Sequence, residues 1–163
     1  MTQSGGPVFT ATFSAVAVSA AQDLFELVAH SSSRLELIEV KVGQESDEGD
    51  AAAEMLAIQI IRGYTTSGSG GASVTPANVQ PWSNAATAVV ERNNTTVAQD
   101  GTGVILEADT FNIMGGWRHY PVPEERIRLE VSTRLVVRLP VAPADAVTMY
   151  GTIKWKEIGK VGN

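Results

Sequence analysis

Val147-Thr148-Met149-Tyr150-Gly151-Thr152-Ile153-Lys154-Trp155-Lys156 sends Val147, Met149, Ile153 and Trp155 to one side and Thr148, Tyr150, Thr152, Lys154 and Lys156 to the other. A period of two belongs to a β-strand with one face in a core and one in water. The same pattern recurs near the other end of the chain, where Phe9, Ala11, Phe13, Ala15 and Ala17 alternate with Thr10, Thr12 and Ser14. Between them, Leu56, Ile58 and Ile60 form the apolar face of a strand ending near Arg62. Thr87 to Glu91, Val104 to Ile113, Ile127 to Val131 and Arg134 to Leu139 also read as strands.

Two stretches are ambiguous. Ala20, Leu24, Leu27 and Val28 are spaced as on a helix, yet Asp23 to Leu27 fits a strand equally well, and a strand is the expectation here. Around Arg34 to Lys41 the charges sit at even positions up to Glu36 and at odd positions from Glu39, so the alternation slips between Leu37 and Ile38. A β-bulge there explains the slip.

The connections carry turn chemistry. Gln44 to Asp50 is a polar, acidic turn, after which Asp50 can cap one helical turn over Ala51 to Met55. Gly63 to Trp82 is rich in Gly, Ser, Thr and Pro, and reads as an excursion over the surface. Asn93 to Thr96, Asp100-Gly101 and Gly115-Gly116 mark turns. Pro121 and Pro123 stiffen the segment after Trp117-Arg118-His119-Tyr120, and Pro140 to Ala144 is a loop before the last strand.

With about eight or nine short strands and no helix-strand alternation, the expected fold is all-β, an antiparallel β-sandwich for which a jelly roll is the natural candidate. The expected organisation is an N-terminal extension over 1–7, a single sandwich domain over 8–158 and a C-terminal tail over 159–163. A chain of 163 residues can bury one sufficient core without staples.

Composition narrows the function. There is no cysteine, which removes disulfides, thiolate metal sites and cysteine nucleophiles; His30 and His119 are the two imidazoles. A net charge of -6 without a basic cluster disfavours nucleic acid as a partner. Apolar runs are too short for a membrane helix, and the start Met1 to Pro7 lacks the basic region of a secretory signal, so synthesis and folding in a cytoplasm are expected.

The motifs that carry chemistry are sparse. His119 has Glu107, Asp109 and Glu124 nearby in sequence, a conceivable base and carboxylate, though a histidine between Arg118 and Tyr120 is more often a packing or interface residue. No serine sits in a G-x-S-x-G elbow, and Gly159-Lys160 lacks the rest of a phosphate loop. Glu45, Asp47, Glu48 and Asp50 do not have EF-hand spacing and read as a solvated loop. The expectation is therefore no enzyme, no cofactor and no metal. Candidate interface residues are Trp82, Trp117, His119 and Tyr120, whose rings pack in the core or at a subunit interface, or stack on sugars if exposed together. Thr65, Ser67 and Ser69 join them, on a Gly/Ser loop that is either a recognition element or a spacer.

Nearly the whole chain resembles a family of small phage-encoded proteins found with virion structural genes. The likeness is carried by Phe13 to Glu26 (FSAVAVSAAQDLFE), Gly43 to Met55 (GQESDEGDAAAEM) and Ile61 to Thr75 (IRGYTTSGSGGASVT). It continues through Val90 to Thr96, Gly115-Gly116-Trp117, Pro123 to Arg126, Leu135 to Leu139 and Ala142 to Ala146. What the resemblance implies is a jelly-roll subunit, assembled as a homotrimer, on the outer surface of a tailed-phage capsid. There it would act as a cement or decoration protein bound to the major capsid protein, with Met1 to Pro7 or the loop Thr65 to Ser73 making capsid contacts. The alternative is a carbohydrate-binding jelly-roll module of a receptor-binding spike or fibre. Exposure of Trp117, His119 and Tyr120 on a loop end would favour sugar, and their burial at a threefold interface would favour cement.

Overall fold

The computed structural model describes residues 6–45, 54–81 and 83–160. Strands β1 (Val8–Val18), β2 (Gln22–Val28), β3 (Ser33–Gln44) and β4 (Met55–Thr66) come first. They are followed by β5 (Ala72–Val74), β6 (Ala77–Asn78), β7 (Val89–Asn94), β8 (Gln99–Asn112) and β9 (Trp117–His119). A 3-10 turn, Pro123–Glu125, precedes β10 (Arg128–Leu129), β11 (Arg134–Leu139) and β12 (Val147–Lys160). One sheet runs β10-β3-β12-β1-β6, with β9 also on β3; the other runs β5-β7-β2-β11-β4-β8.

The pairing is nested. The first strand pairs with the last (β1 with β12), β2 with β11, β3 with β9 and β4 with β8, all antiparallel. A ribbon folded back on itself and rolled into two sheets in this way is a jelly roll. The expected sandwich is thus present, and its eight ribbon strands are joined by β7 and by β5, β6 and β10, which are only two or three residues long.

The quoted strand behaves as read: Val147, Met149, Ile153 and Trp155 are all buried. Trp155 lies against Phe9 at 6.0 Å between ring centroids, and Phe13 against Phe25 at 5.1 Å. The second contact joins the two sheets through aromatic area, which dominates the packing of a core. The bulge expected between Leu37 and Ile38 is there, since Lys154 pairs with Glu39 and Trp155 with Leu37, leaving Ile38 unpaired.

Two sequence expectations need correction, and a third holds with an added detail. Segment 22–28 is the strand favoured above, but Val137 pairs with Phe25 and Arg138 with Asp23, so Leu24 is an inserted residue opposite β11. That insertion mimicked helical spacing. In β1 the alternation stops after Phe13: the register shifts before Val16, Ala15 takes φ +52°, and Ala15 and Ala17 are exposed. The stretch 63–82 is less irregular than its composition suggested, since β4 extends to Thr66 and β5 and β6 lie within it. The acidic turn at Ser46 to Asp50 and the helical turn over 51–53 lie outside the described residues; Met55 itself opens β4.

Candidate functional site

Trp117 and His119 of β9 face Asp109 and Glu107 of β8. Trp117 is buried, and its Nε1 donates to Asp109 Oδ2 at 3.0 Å. The His119 ring stacks on it at 6.0 Å and 16°. His119 Nδ1 is 3.8 Å from Glu107 Oε2, too far for a hydrogen bond, while its buried Nε2 has no partner. Burial holds the imidazole below its ordinary value against the pull of Glu107. Of the carboxylates weighed beside it, Glu107 is the one that faces it. Asp109 is occupied by Trp117, and Glu124 lies in the 3-10 turn. Among the described residues no group of three or more His, Asp or Glu side chains is arranged to hold a metal ion.

Tyr120 is separated from this pair. It is exposed, and the Arg118 guanidinium lies 4.8 Å over its ring. Trp117, His119 and Tyr120 therefore do not form one aromatic platform. Trp82 lies outside the described residues.

Thr65, Ser67 and Ser69 are exposed, but the Gly/Ser segment that bears them is strapped down. Ser67 Oγ donates to Glu26 Oε1 at 2.7 Å and Gly68 N–H to Glu26 Oε2 at 2.9 Å. Ser69 and Thr96 exchange backbone hydrogen bonds of 2.8 and 3.0 Å. Gly71 N–H donates to Asn94 Oδ1 at 3.2 Å, and close contacts leave Gly68 and Gly71 no room for a Cβ. Glycine is required here by backbone approach.

The anchor for this strap is a polar ladder that the sequence did not reveal. On the outward face of β2, Asp23 and Glu26 are buried and face Arg138 and Arg134 of β11. Arg138 also donates to Ala98 O at 2.7 Å and to Tyr64 Oη at 3.1 Å, and its guanidinium lies 4.7 Å over the Tyr64 ring. Burial pushes the Asp23 carboxyl up, opposed by Arg138 and the Ala98 N–H. The Arg138 value is raised despite burial, because Asp23 and Tyr64 stabilise the cation. Buried pairs of this kind contribute little net stability when complete, and leave a costly orphan charge when broken. Ile61, Ala98 and Val136 complete the seal with Tyr64 packed against them.

The other sheet has buried carboxylates of its own, Glu36, Glu39 and Glu157. Glu39 accepts from Lys154 Nζ and from Arg118 Nε, each at 2.7 Å. Burial acts to raise it, but the two cations prevail and hold it below the ordinary carboxylate value. Beside it, Thr12, Ser14, Lys41, Gly43, Tyr150 and Thr152 line an open groove of about 360 Å³.

Several large apolar residues are exposed, and three of them lie on elements that meet around Glu54. Met55 (60% exposed) opens β4 opposite Asn112, Met114 (64%) lies in the turn after β8, and Val141 (64%) lies in the loop before β12. The Glu54 carboxylate ties these elements together by accepting from Ala144 N–H at 3.0 Å, while Ile113 N–H donates to Glu54 O at 3.0 Å.

No family model and no curated protein matches the chain. Among solved structures, one similar chain is from Maize Chlorotic Mottle Virus, at 11% identity over 96% of each chain and a TM-score of 0.25. Another is from the infectious bursal disease virus Gx strain, at 16% identity over 93% of this chain and 41% of that one, TM-score 0.21. A third is VP17, a capsid protein of bacteriophage P23-77, at 10% identity over 93% and 98% of the two chains, TM-score 0.14. At such scores the fold assignment rests on the strand pairing itself.

Proposed function

We propose that this chain is a structural virion protein, a homotrimer that binds the outside of a phage capsid as a cement or decoration protein and stabilises the shell. Its partner is the major capsid protein, and it is made in the host cytoplasm. The observation that carries the proposal is the division of the surface. Buried ion pairs fix the strap over the second sheet, while Met55, Met114 and Val141 are exposed on three elements that Glu54 links. Exposed apolar side chains on a rigid scaffold suit a subunit interface. A trimer multiplies weak contacts with neighbouring capsomers, and binding only the assembled shell stabilises it by linkage.

The protein acts by binding and not by catalysis. His119 is partly buried, its imidazole held below its ordinary value by burial, and its one facing carboxylate is beyond hydrogen-bond reach. The placement of Trp117 weighs against the sugar-binding alternative, because a ring covered by the protein's own strands cannot stack on a saccharide. Mass in solution tests the proposal: the wild-type chain is expected to sediment as a trimer, and the Met114→Asp/Val141→Asp variant as a folded monomer. A wild-type monomer, or a trimer unchanged by the substitutions, would count against this interface.

A further inference from the structure

At three margins of the sandwich the outermost strand is very short, β6 covering only Phe9 and Thr10 of β1. β5 has three residues, β6 has two, and β3 is flanked by β9 with three and β10 with two. Short edges are a common protection against unwanted strand pairing. The fourth margin is different. β8 is the outermost strand of its sheet over fourteen residues, paired on one side only with β4.

Its surface is open: Gln99 to Ile105 and Ala108 to Thr110 are exposed, with Val104 at 45% and Ile105 at 53%. The bulge that leaves Leu106 unpaired on β4 turns the strand without covering it. One amide is answered locally, Thr110 N–H by Asp109 Oδ1 at 2.7 Å. No other strand among the described residues lies along the outer side.

Charge decides what could pair there. Residues 99–112 hold Asp100, Glu107 and Asp109, and no Lys, Arg or Pro. A second copy added antiparallel about Val104 and Ile105 would set Asp100 opposite Asp109, and like charges directly opposite are unfavourable. A basic segment has no such conflict.

We infer that β8 is a docking edge for an extended segment of another protein, one that alternates apolar residues with Lys or Arg and adds to the second sheet as a further strand. Backbone hydrogen bonds supply the affinity, and Val104 and Ile105, with the negative charge that Asp100 and Asp109 keep because their donors Thr66, Trp117 and Thr110 are neutral, supply the selectivity. This inference stands apart from the capsid proposal and does not depend on it.

The test uses the full chain and two labelled peptides, Lys-Val-Lys-Val-Lys-Val-Lys and its counterpart with Glu for Lys, followed by anisotropy and amide exchange. The basic peptide is expected to bind, more weakly as salt is raised, and to slow exchange along 102–109 alone. The acidic peptide is expected not to bind. A Val104→Lys/Ile105→Lys variant should bind the basic peptide about tenfold more weakly, since cations on the edge repel it. No binding, equal binding of both peptides, or slowed exchange elsewhere would overturn the inference. Should the variant not fold, the exchange pattern of the wild-type chain decides by itself.

Discussion

Arg138 grips Asp23 with two hydrogen bonds, Nε to Oδ1 at 2.6 Å and Nη2 to Oδ2 at 3.1 Å, while Ala98 N–H donates to the same Oδ2 at 2.7 Å. One carboxylate thus joins β2, β11 and the turn before β8. Replacing Arg138 with Met strands a buried charge, and urea unfolding should show a loss of about 3–5 kcal/mol. Adding Asp23→Leu to that variant should restore part of it, the remaining deficit being about 1–3 kcal/mol for the unpaired Ala98 N–H.

Glu26 fixes the neighbouring strap through Ser67 and Gly68. In Glu26→Gln the carboxylate acceptor and the Arg134 ion pair are both lost. Amide exchange should quicken at Gly68, Ser69 and Thr96 while the core strands stay protected. Unchanged exchange at those three amides would show that the strap does not depend on Glu26.

Gly151 sits opposite Phe13 in the β1–β12 pair, and a Cβ there would lie 2.3 Å from the Phe13 ring. Gly151→Ala should therefore lower stability by about 1–3 kcal/mol through overpacking. Combining it with Phe13→Leu should recover part of the loss, a coupling measurable by a double-mutant cycle.

The partly buried imidazole of His119 sets a pH dependence. Its folded value lies below the unfolded 6.5, so below pH 6.5 the unfolded chain takes up the proton first. Stability is full above that point and falls as pH drops towards the folded value. His119→Phe should flatten this part of the thermal-melt profile. The decline attached to Glu39 begins only below its ordinary 4.5, because its value is lowered.

Much of the fold was legible because side-chain alternation reports directly on a half-buried sheet. The last strand and the Ile38 bulge were readable from sequence, since charge on one face exposed the slip. The Leu24 insertion and the break at Ala15 were not. On β2 both faces are buried, so polarity no longer marks the outside, and in β1 the residues beyond the break are small and apolar whichever way they point. The polar ladder was hidden for the same reason. Asp23 and Glu26 are three apart and share a face only because of the inserted residue, and their partners Arg134 and Arg138 are more than a hundred residues away. Of the candidate interface residues, Trp117 was readable as a packing residue. The tethers on Ser67 and Ser69 were not, because their partners Glu26 and Thr96 lie on distant segments.

Co-sedimentation of the purified chain with expanded capsids that lack it tests the central claim most directly. The account predicts that the chain pellets with the shells at a saturating ratio that is a multiple of three copies per site, and that Met114→Asp/Val141→Asp reduces it. A chain that stays in the supernatant as a monomer at saturating capsid concentration would contradict it.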